Sequence, residues 1–185
     1  MQLRELIGYR QTLFYQLLKS SNDLKDLANK LKDNGYKDYV ISSSTGGIVF
    51  AKPSDPYVIK IFRQDPGYED FIALALANQS NPHVPRIKGN LVTFQKIYKI
   101  IRIERLTHAR TLDDKKISKE ISSYTTKKAY RPTTASRREA VEQMYPQLYT
   151  LLDKIAAGGE DLVIDLHKEN IMFRGSIPVI TDPYF

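Results

Sequence analysis

Residues 162–182 read LVIDLHKENIMFRGSIPVITD, and this stretch decides the fold. Its two apolar runs, from Leu162 to Phe173 and from Pro178 to Asp182, predict two short strands joined by a turn, each with an acidic residue at its edge. Asp165, Asn170 five residues on, and Asp182 on the neighbouring strand are positioned by this pattern to converge on one point. Oxygen ligands of this kind suit Mg²⁺, which takes a few carboxylate or amide oxygens and completes its shell from substrate phosphates. An Asp beside such an ion can accept the proton of an attacking hydroxyl. The plainer reading, an Asp and an Asn capping their own turn, does not account for the flanking strands or for Asp182.

The match Ile164-Asp165-Leu-His167-Lys168-Glu-Asn170, then Ile180-Thr-Asp182-Pro183, resembles the catalytic loop H-R-D-x-x-x-x-N and the later metal-binding D-F-G of the protein-kinase superfamily. In the form DLHKENIMF…PVITDP it is more similar still to the early serine/threonine protein kinases of T7-like bacteriophages, whose pattern is D-x-H-x-x-N-I-M-F…I-T-D-P. The resemblance extends back over most of the chain from Tyr36. It implies that Asp165 is the catalytic base, that Asn170 and Asp182 bind Mg²⁺, and that His167 and Lys168 contact phosphate. It also implies a lysine on a strand after a small-residue hairpin, and Val58-Ile-Lys60-Ile61 fits in type and order. Lys60 would then pair with the α- and β-phosphates, under a cover of backbone N–H groups from Ser44, Thr45, Gly46 and Gly47. The helix from Gly67 would supply a carboxylate to hold Lys60, with Glu69 the nearest candidate and Asp70 an equal one. Arg102-Ile-Glu104-Arg-Leu106 resembles the strand entering the hinge, where backbone groups around Glu104 would meet adenine.

The sequence departs from the family pattern in three places. Pro183-Tyr184 follows Asp182 where D-F-G has Phe-Gly, no A-P-E follows, and an activation segment with peptide-holding helices is absent from this sequence. Either the basic stretch 107–138 and the N-terminal helices take over substrate binding, or peptide binding is rudimentary.

Outward from the site, residues 4–32 show apolar spacings of three and four, interrupted near Ser20 to Asp23, and so predict two helices. Asn22 or Asp23 would cap the second and Gly35 would close it. Tyr39–Ile41, Ile48–Phe50 and Tyr57–Phe62 predict an antiparallel meander. A helix over 67–79, strands over 91–94 and 97–103, and a helix over 139–157 follow. Residues 107–138, rich in Ser, Thr and Lys, read as a basic loop or a weakly helical linker. The expected fold is α+β, a minimal two-lobed protein-kinase-like arrangement. It comprises an N-terminal helical segment (1–35), an ATP-binding β-rich lobe (36–106) and a truncated catalytic lobe (107–185) that contains the basic loop 107–138.

The 185 residues, 42% hydrophobic and 26% charged, exclude a wholly disordered or collagen-like chain. The longest apolar runs, such as Phe71 to Ala77, fall far short of a membrane span, and MQLRELIGYR does not read as a signal peptide. No membrane association is therefore expected, and the location expected is cytoplasmic, the host cytoplasm for a phage-encoded chain. Without cysteine there is no disulfide and no thiolate metal site. The net charge of +7 favours anionic partners; nucleic acid is compatible with it, although no binding motif supports it.

The first function these residues imply is an ATP- and Mg²⁺-dependent protein kinase acting on Ser or Thr, or on Tyr, hydroxyls of host proteins. The hydroxyls of residues 118–136 are candidates for self-phosphorylation, and a homodimer could supply a missing wall. The alternatives are a small-molecule phosphotransferase of the aminoglycoside-kinase type and a non-catalytic kinase-like module that binds a host protein or nucleic acid. Lys60, Asp165, Asn170 and Asp182 together weigh against the last, because a pure scaffold would not need all four.

Overall fold

The computed structural model describes residues 12–40, 47–125, 135–157 and 164–184. The fold is α+β and divides into two compact units, Met1–Gln64 with Ile87–Arg105 and Asp65–Arg86 with Leu106–Phe185. Residues 4–11 of the first helix expected from sequence and the turn residues Ser44, Thr45 and Gly46 lie outside the described residues, as does 126–134.

Among the described residues, the first unit is a five-stranded antiparallel sheet with two helices on one face. Helix α1 (Leu13–Ser20) and helix α2 (Leu24–Asp33) are separated where the sequence predicted, and Asp23 caps α2 by accepting the Asp26 N–H at 2.7 Å. Gly35, at φ 83, ends α2 in the left-handed conformation that glycine takes without a Cβ clash, and the Tyr36 N–H returns to the Leu31 carbonyl. The strands are β1 (Lys37–Val40), β2 (Ile48–Ala51), β3 (Tyr57–Arg63), β4 (Val92–Phe94) and β5 (Tyr98–Glu104), in the order β1-β2-β3-β5-β4. Alternation along β3 sends Ile59 and Ile61 into a core with Phe50, Phe94, Ile100 and the helix residues Phe14, Leu18, Leu27 and Leu31. Each fully buried Ile, Leu or Phe there contributes about 2 kcal/mol.

In the second unit, Asp65 caps helix α3 (Pro66–Ala77) by accepting the Tyr68 N–H at 3.0 Å. Two differences from the sequence reading follow. The stretch 107–138, expected as a loop or weak linker, contains the 14-residue helix α4 (Leu112–Thr125). Its start is a capping box: the Asp114 N–H donates to Thr111 Oγ1 at 3.0 Å, and Asp114 Oδ2 accepts the N–H groups of Thr111 at 2.9 Å and Arg110 at 3.0 Å. Those bonds, the Thr111 N–H first, hold the Asp114 carboxyl below its ordinary range. Asp114, Ser118 and Ile121 form the buried stripe of α4, a stripe that composition hides because two of its members are polar.

The single helix expected over 139–157 is two helices, α5 (Ala135–Met144) and α6 (Pro146–Ala156). Pro146 has no N–H for a continuing ladder and pushes Tyr145 out of the helical region, to φ −135 and ψ 62. A two-stranded antiparallel hairpin completes the unit, β6 (Ile171–Arg174) with β7 (Ile177–Ile180), turning at Gly175, whose φ is 62. Among the described residues, no helix is long and apolar enough to cross a membrane.

Candidate active site

Register places Ile171 opposite Ile180 on the hairpin, so Asn170 and Thr181, the residues just outside, face one another. The Thr181 N–H and Oγ1 both donate to the Asn170 carbonyl, at 2.9 and 3.1 Å. A 3₁₀ turn, Lys168–Asn170, leads into β6, and the Asn170 N–H closes it on the His167 carbonyl at 2.9 Å. Asn170 Nδ2 then reaches back to donate to the Asp165 carbonyl at 2.7 Å. From the other side the Asp165 N–H donates to the Pro183 carbonyl at 2.7 Å, and Ile164 bridges Tyr184 in antiparallel fashion. Three segments thus interlock through the Asn170 side chain and main-chain bonds, which join Asp165, Asn170 and the Thr181–Pro183 segment and leave the Asp165 side chain 38% exposed.

Neighbouring segments brace this knot. Tyr184 is buried and its Oη donates to the Ile155 carbonyl at the end of α6 at 3.2 Å; burial first, then the charge of Asp70, raises the phenol above its ordinary value. Thr107 exchanges main-chain bonds of 3.1 and 2.7 Å with Phe173 on β6. On β7 the Ile180 N–H donates to the His83 carbonyl at 2.9 Å, and the His83 ring lies 2.7 Å from the Pro178 carbonyl through Nδ1. Arg174 donates to the Pro82 and Val84 carbonyls at 2.7 and 3.1 Å. Thr181, Tyr184 and the 81–84 segment were not singled out from sequence. Thr181, adjacent to Asp182 on a strand edge, carried the one signal that could have found them: a hydroxyl beside a metal-type carboxylate.

His167 caps the 3₁₀ turn, its Nδ1 accepting the Glu169 N–H at 3.2 Å, and its Nε2 lies 3.4 Å from Asp165 Oδ2. Lys168 is exposed on the same turn.

The other residues singled out from sequence fall as follows. Lys60, on β3, is half-buried, pairs in register with Val49 and Ile101, and its ammonium sits 5.8 Å from the Phe62 ring centroid. It projects from the sheet face opposite α1 and α2, because Ile59 and Ile61 take the other. Glu104 ends β5 opposite Tyr57, on the sheet face that Lys60 does not use. Gly47 is buried just before β2; a Cβ there would stand 3.7 Å from the Ile61 carbonyl, an ordinary contact, so crowding does not require the glycine. Glu69 is half-buried in the first turn of α3, where the helix dipole favours a carboxylate, and Asp70 is exposed.

No family model matches the sequence, and no curated protein matches it. Among solved structures the chain is similar to the kinase PK-1 of the Cydia pomonella granulovirus, at 12% identity and a TM-score of 0.42, with 86% of this chain covered. The chain spans 58% of the length of that kinase. At that distance the functional reading rests on the site's own geometry.

Among the described residues, no group of three or more His, Cys, Asp or Glu side chains could hold a metal ion. The pair that sequence singled out is an amide and a carboxylate. With Nδ2 donated to Asp165, Asn170 has Oδ1 to offer a cation, and Asp182 stands in the chain between Thr181 and Pro183, which bond to Asn170 and Asp165. Such a donor set fits Mg²⁺, which binds through one or two protein oxygens plus phosphates and water. A cavity of about 630 Å³ in the same unit, lined by Thr111, Ile117, Val141, Met144, Tyr145 and Gly175 among others, touches none of these residues.

Proposed function

We propose that this protein is an ATP- and Mg²⁺-dependent phosphotransferase of the protein-kinase kind, transferring the γ-phosphoryl group to a protein hydroxyl. The observation that carries the reading is the interlock of Asp165, Asn170 and the Thr181–Pro183 segment, which leaves the Asp165 carboxylate partly exposed. Phosphoryl transfer needs little covalent help, so positioning and charge neutralisation supply most of the rate. In the reaction the acceptor oxygen bonds to Pγ, the bond from Pγ to the bridging oxygen breaks, and the acceptor proton passes to the Asp165 carboxylate. Asn170 Oδ1 and Asp182 would hold Mg²⁺, whose charge offsets that of the phosphates.

Lys60 takes the role of the phosphate-pairing lysine, with Glu69 or Asp70 as its carboxylate, Gly47 and the preceding turn covering phosphates, Lys168 as a further phosphate contact and the Glu104 main chain meeting adenine. The resemblance to T7-like phage kinases extends the proposal to Ser or Thr hydroxyls of host proteins, and to the chain's own hydroxyls between 118 and 136. Incubation with γ-labelled ATP and Mg²⁺, alone and with host lysate, tests it. Label carried by the wild type and lost in Lys60→Ala, Asp165→Ala and Asp182→Ala is the expected result. Equal labelling in wild type and Asp165→Ala, or none in either, overturns the proposal.

A further inference from the structure

In this fold His167 stands two residues after the proposed base, where its side chain has three conceivable uses: contacting phosphate, accepting the substrate proton itself, or holding Asp165. One hydrogen bond and one close approach choose between them. Nδ1 accepts the Glu169 N–H at 3.2 Å, which a ring nitrogen can do only with its lone pair. In the neutral ring the proton is then on Nε2, and Nε2 is the atom 3.4 Å from Asp165 Oδ2. The one lone pair with which neutral His167 could take a proton is occupied by a main-chain donor. The nitrogen left with the N–H is the one that lies near a carboxylate oxygen. His83 is the internal contrast, because its Nδ1 lies 2.7 Å from the Pro178 carbonyl, an oxygen that only accepts, and so must carry the proton.

We infer that His167 is a positioning residue that donates Nε2–H to the Asp165 carboxylate and orients it for the acceptor hydroxyl, and that His167 does not itself take the substrate proton. The role in transfer rests on the phosphotransferase reading, whereas the pairing with Asp165 does not. The main chain of Asp165 is held at both its N–H and its carbonyl, by Pro183 and Asn170, so the carboxylate torsion is the freedom left to fix. A donor on one oxygen leaves the other aimed outward, which is what a base in this position needs.

Two measurements decide it. Long-range ¹H–¹⁵N correlation spectra of the ring nitrogens at about pH 8, with His167 assigned by its loss in His167→Gln, read the tautomer independently of any activity. The expected result is Nε2–H at His167 and Nδ1–H at His83, with the His167 signals alone moving in Asp165→Asn. An Nδ1–H tautomer at His167, or signals indifferent to Asp165→Asn, overturns the pairing whether or not the protein transfers phosphate. In the labelling assay, His167→Ala is expected to lower kcat by about 10-fold with KM for ATP unchanged, a loss of orientation and not of binding. Gln presents an N–H near the Nε2 position but cannot carry a proton between substrate and solvent, so His167→Gln is expected to restore most of kcat. His167→Gln as inactive as Asp165→Ala would make His167 the proton acceptor and overturn the inference. A wild type without transfer would remove the phosphotransferase reading, and the tautomer result would still stand or fall by itself.

Discussion

Asp55 in the first unit and Asp165 in the second are the same residue put to opposite uses. Asp55 is spent: its Oδ2 accepts from Arg102 Nη2 at 2.8 Å and from Tyr36 Oη at 3.2 Å, its Oδ1 accepts the Tyr57 N–H at 3.0 Å, and the Asp55 and Arg102 side chains are 15% and 8% exposed. The pair ties the loop before β3 to the middle of β5. Asp165 is held by its main chain, and its carboxylate remains open to solvent apart from His167. A carboxylate whose oxygens are saturated stabilises a fold; one that is anchored through its backbone stays available for chemistry. Burial and bonding separate the two where residue type cannot.

Substitution sharpens the contrast most at these two positions. Asp165→Ala is expected to reduce phosphoryl transfer by about 10²–10⁴-fold, the range for loss of a general base, with the urea midpoint near that of the wild type. Asp55→Ala should behave in reverse, costing about 3–5 kcal/mol of stability because it strands the Arg102 guanidinium in the interior. Urea denaturation followed by circular dichroism, beside the labelling assay, reads both. A stable Asp55→Ala, or an unfolded Asp165→Ala, would break the comparison.

Smaller effects test the bracing around the site. Tyr184→Phe removes only the bond to the Ile155 carbonyl and should cost about 1 kcal/mol in the same denaturation experiment. Tyr184→Ala removes a buried ring as well and should cost about 3–5 kcal/mol.

His83 gives the second unit a pH dependence of its own. Burial, and behind it the Arg174 charge, lowers its pKa below the ordinary 6.5, the Pro178 carbonyl opposing in part. The unfolded chain therefore binds a proton below about pH 6.5 that the folded chain refuses, so the stability is whole above that pH and falls as the medium is acidified towards the folded value. Urea midpoints at about pH 7.5 and 5.5 should show this loss, and His83→Gln should flatten it.

The smallest effect is expected at Lys96, which with Gln95 occupies positive φ, 66 and 51, in the β4–β5 turn. Relief of that conformation in Lys96→Gly, partly offset by glycine's entropy, should raise stability by about 0.5 kcal/mol.

Much of this was legible in the chain. The break and cap at Asp23, the left-handed stop at Gly35, the strand spacing of the sheet and the hairpin pairing of the last two apolar runs follow from local patterns with one physical cause each. The strand expected from Leu162, by contrast, begins only at Ile171, because the 3₁₀ turn Lys168–Asn170 stands before it, and Asp165 and Asp182 lie outside the two strands. Helix α4 was not legible by composition, because its buried stripe includes Asp114 and Ser118 and only the Thr111–Asp114 capping box marks its start. The split at Pro146 was available in the sequence, but the apolar spacing of 139–157 runs through it and the stronger signal prevailed.

By itself, the sequence determined which residue types stand where: the acids and amide at 165, 170 and 182, a lysine on a strand, turns where glycine and proline allow them. Those are consequences of short-range sterics and periodicity, which act within a few residues. Only the tertiary structure decided that Asn170 would spend its amide N–H on Asp165, that His167 would turn one nitrogen to a main-chain donor and the other to a carboxylate, and that Asp55 would be consumed by Arg102. Each of those outcomes is a competition for hydrogen-bond partners between segments up to 47 residues apart, and such a competition is settled by which groups burial leaves within reach.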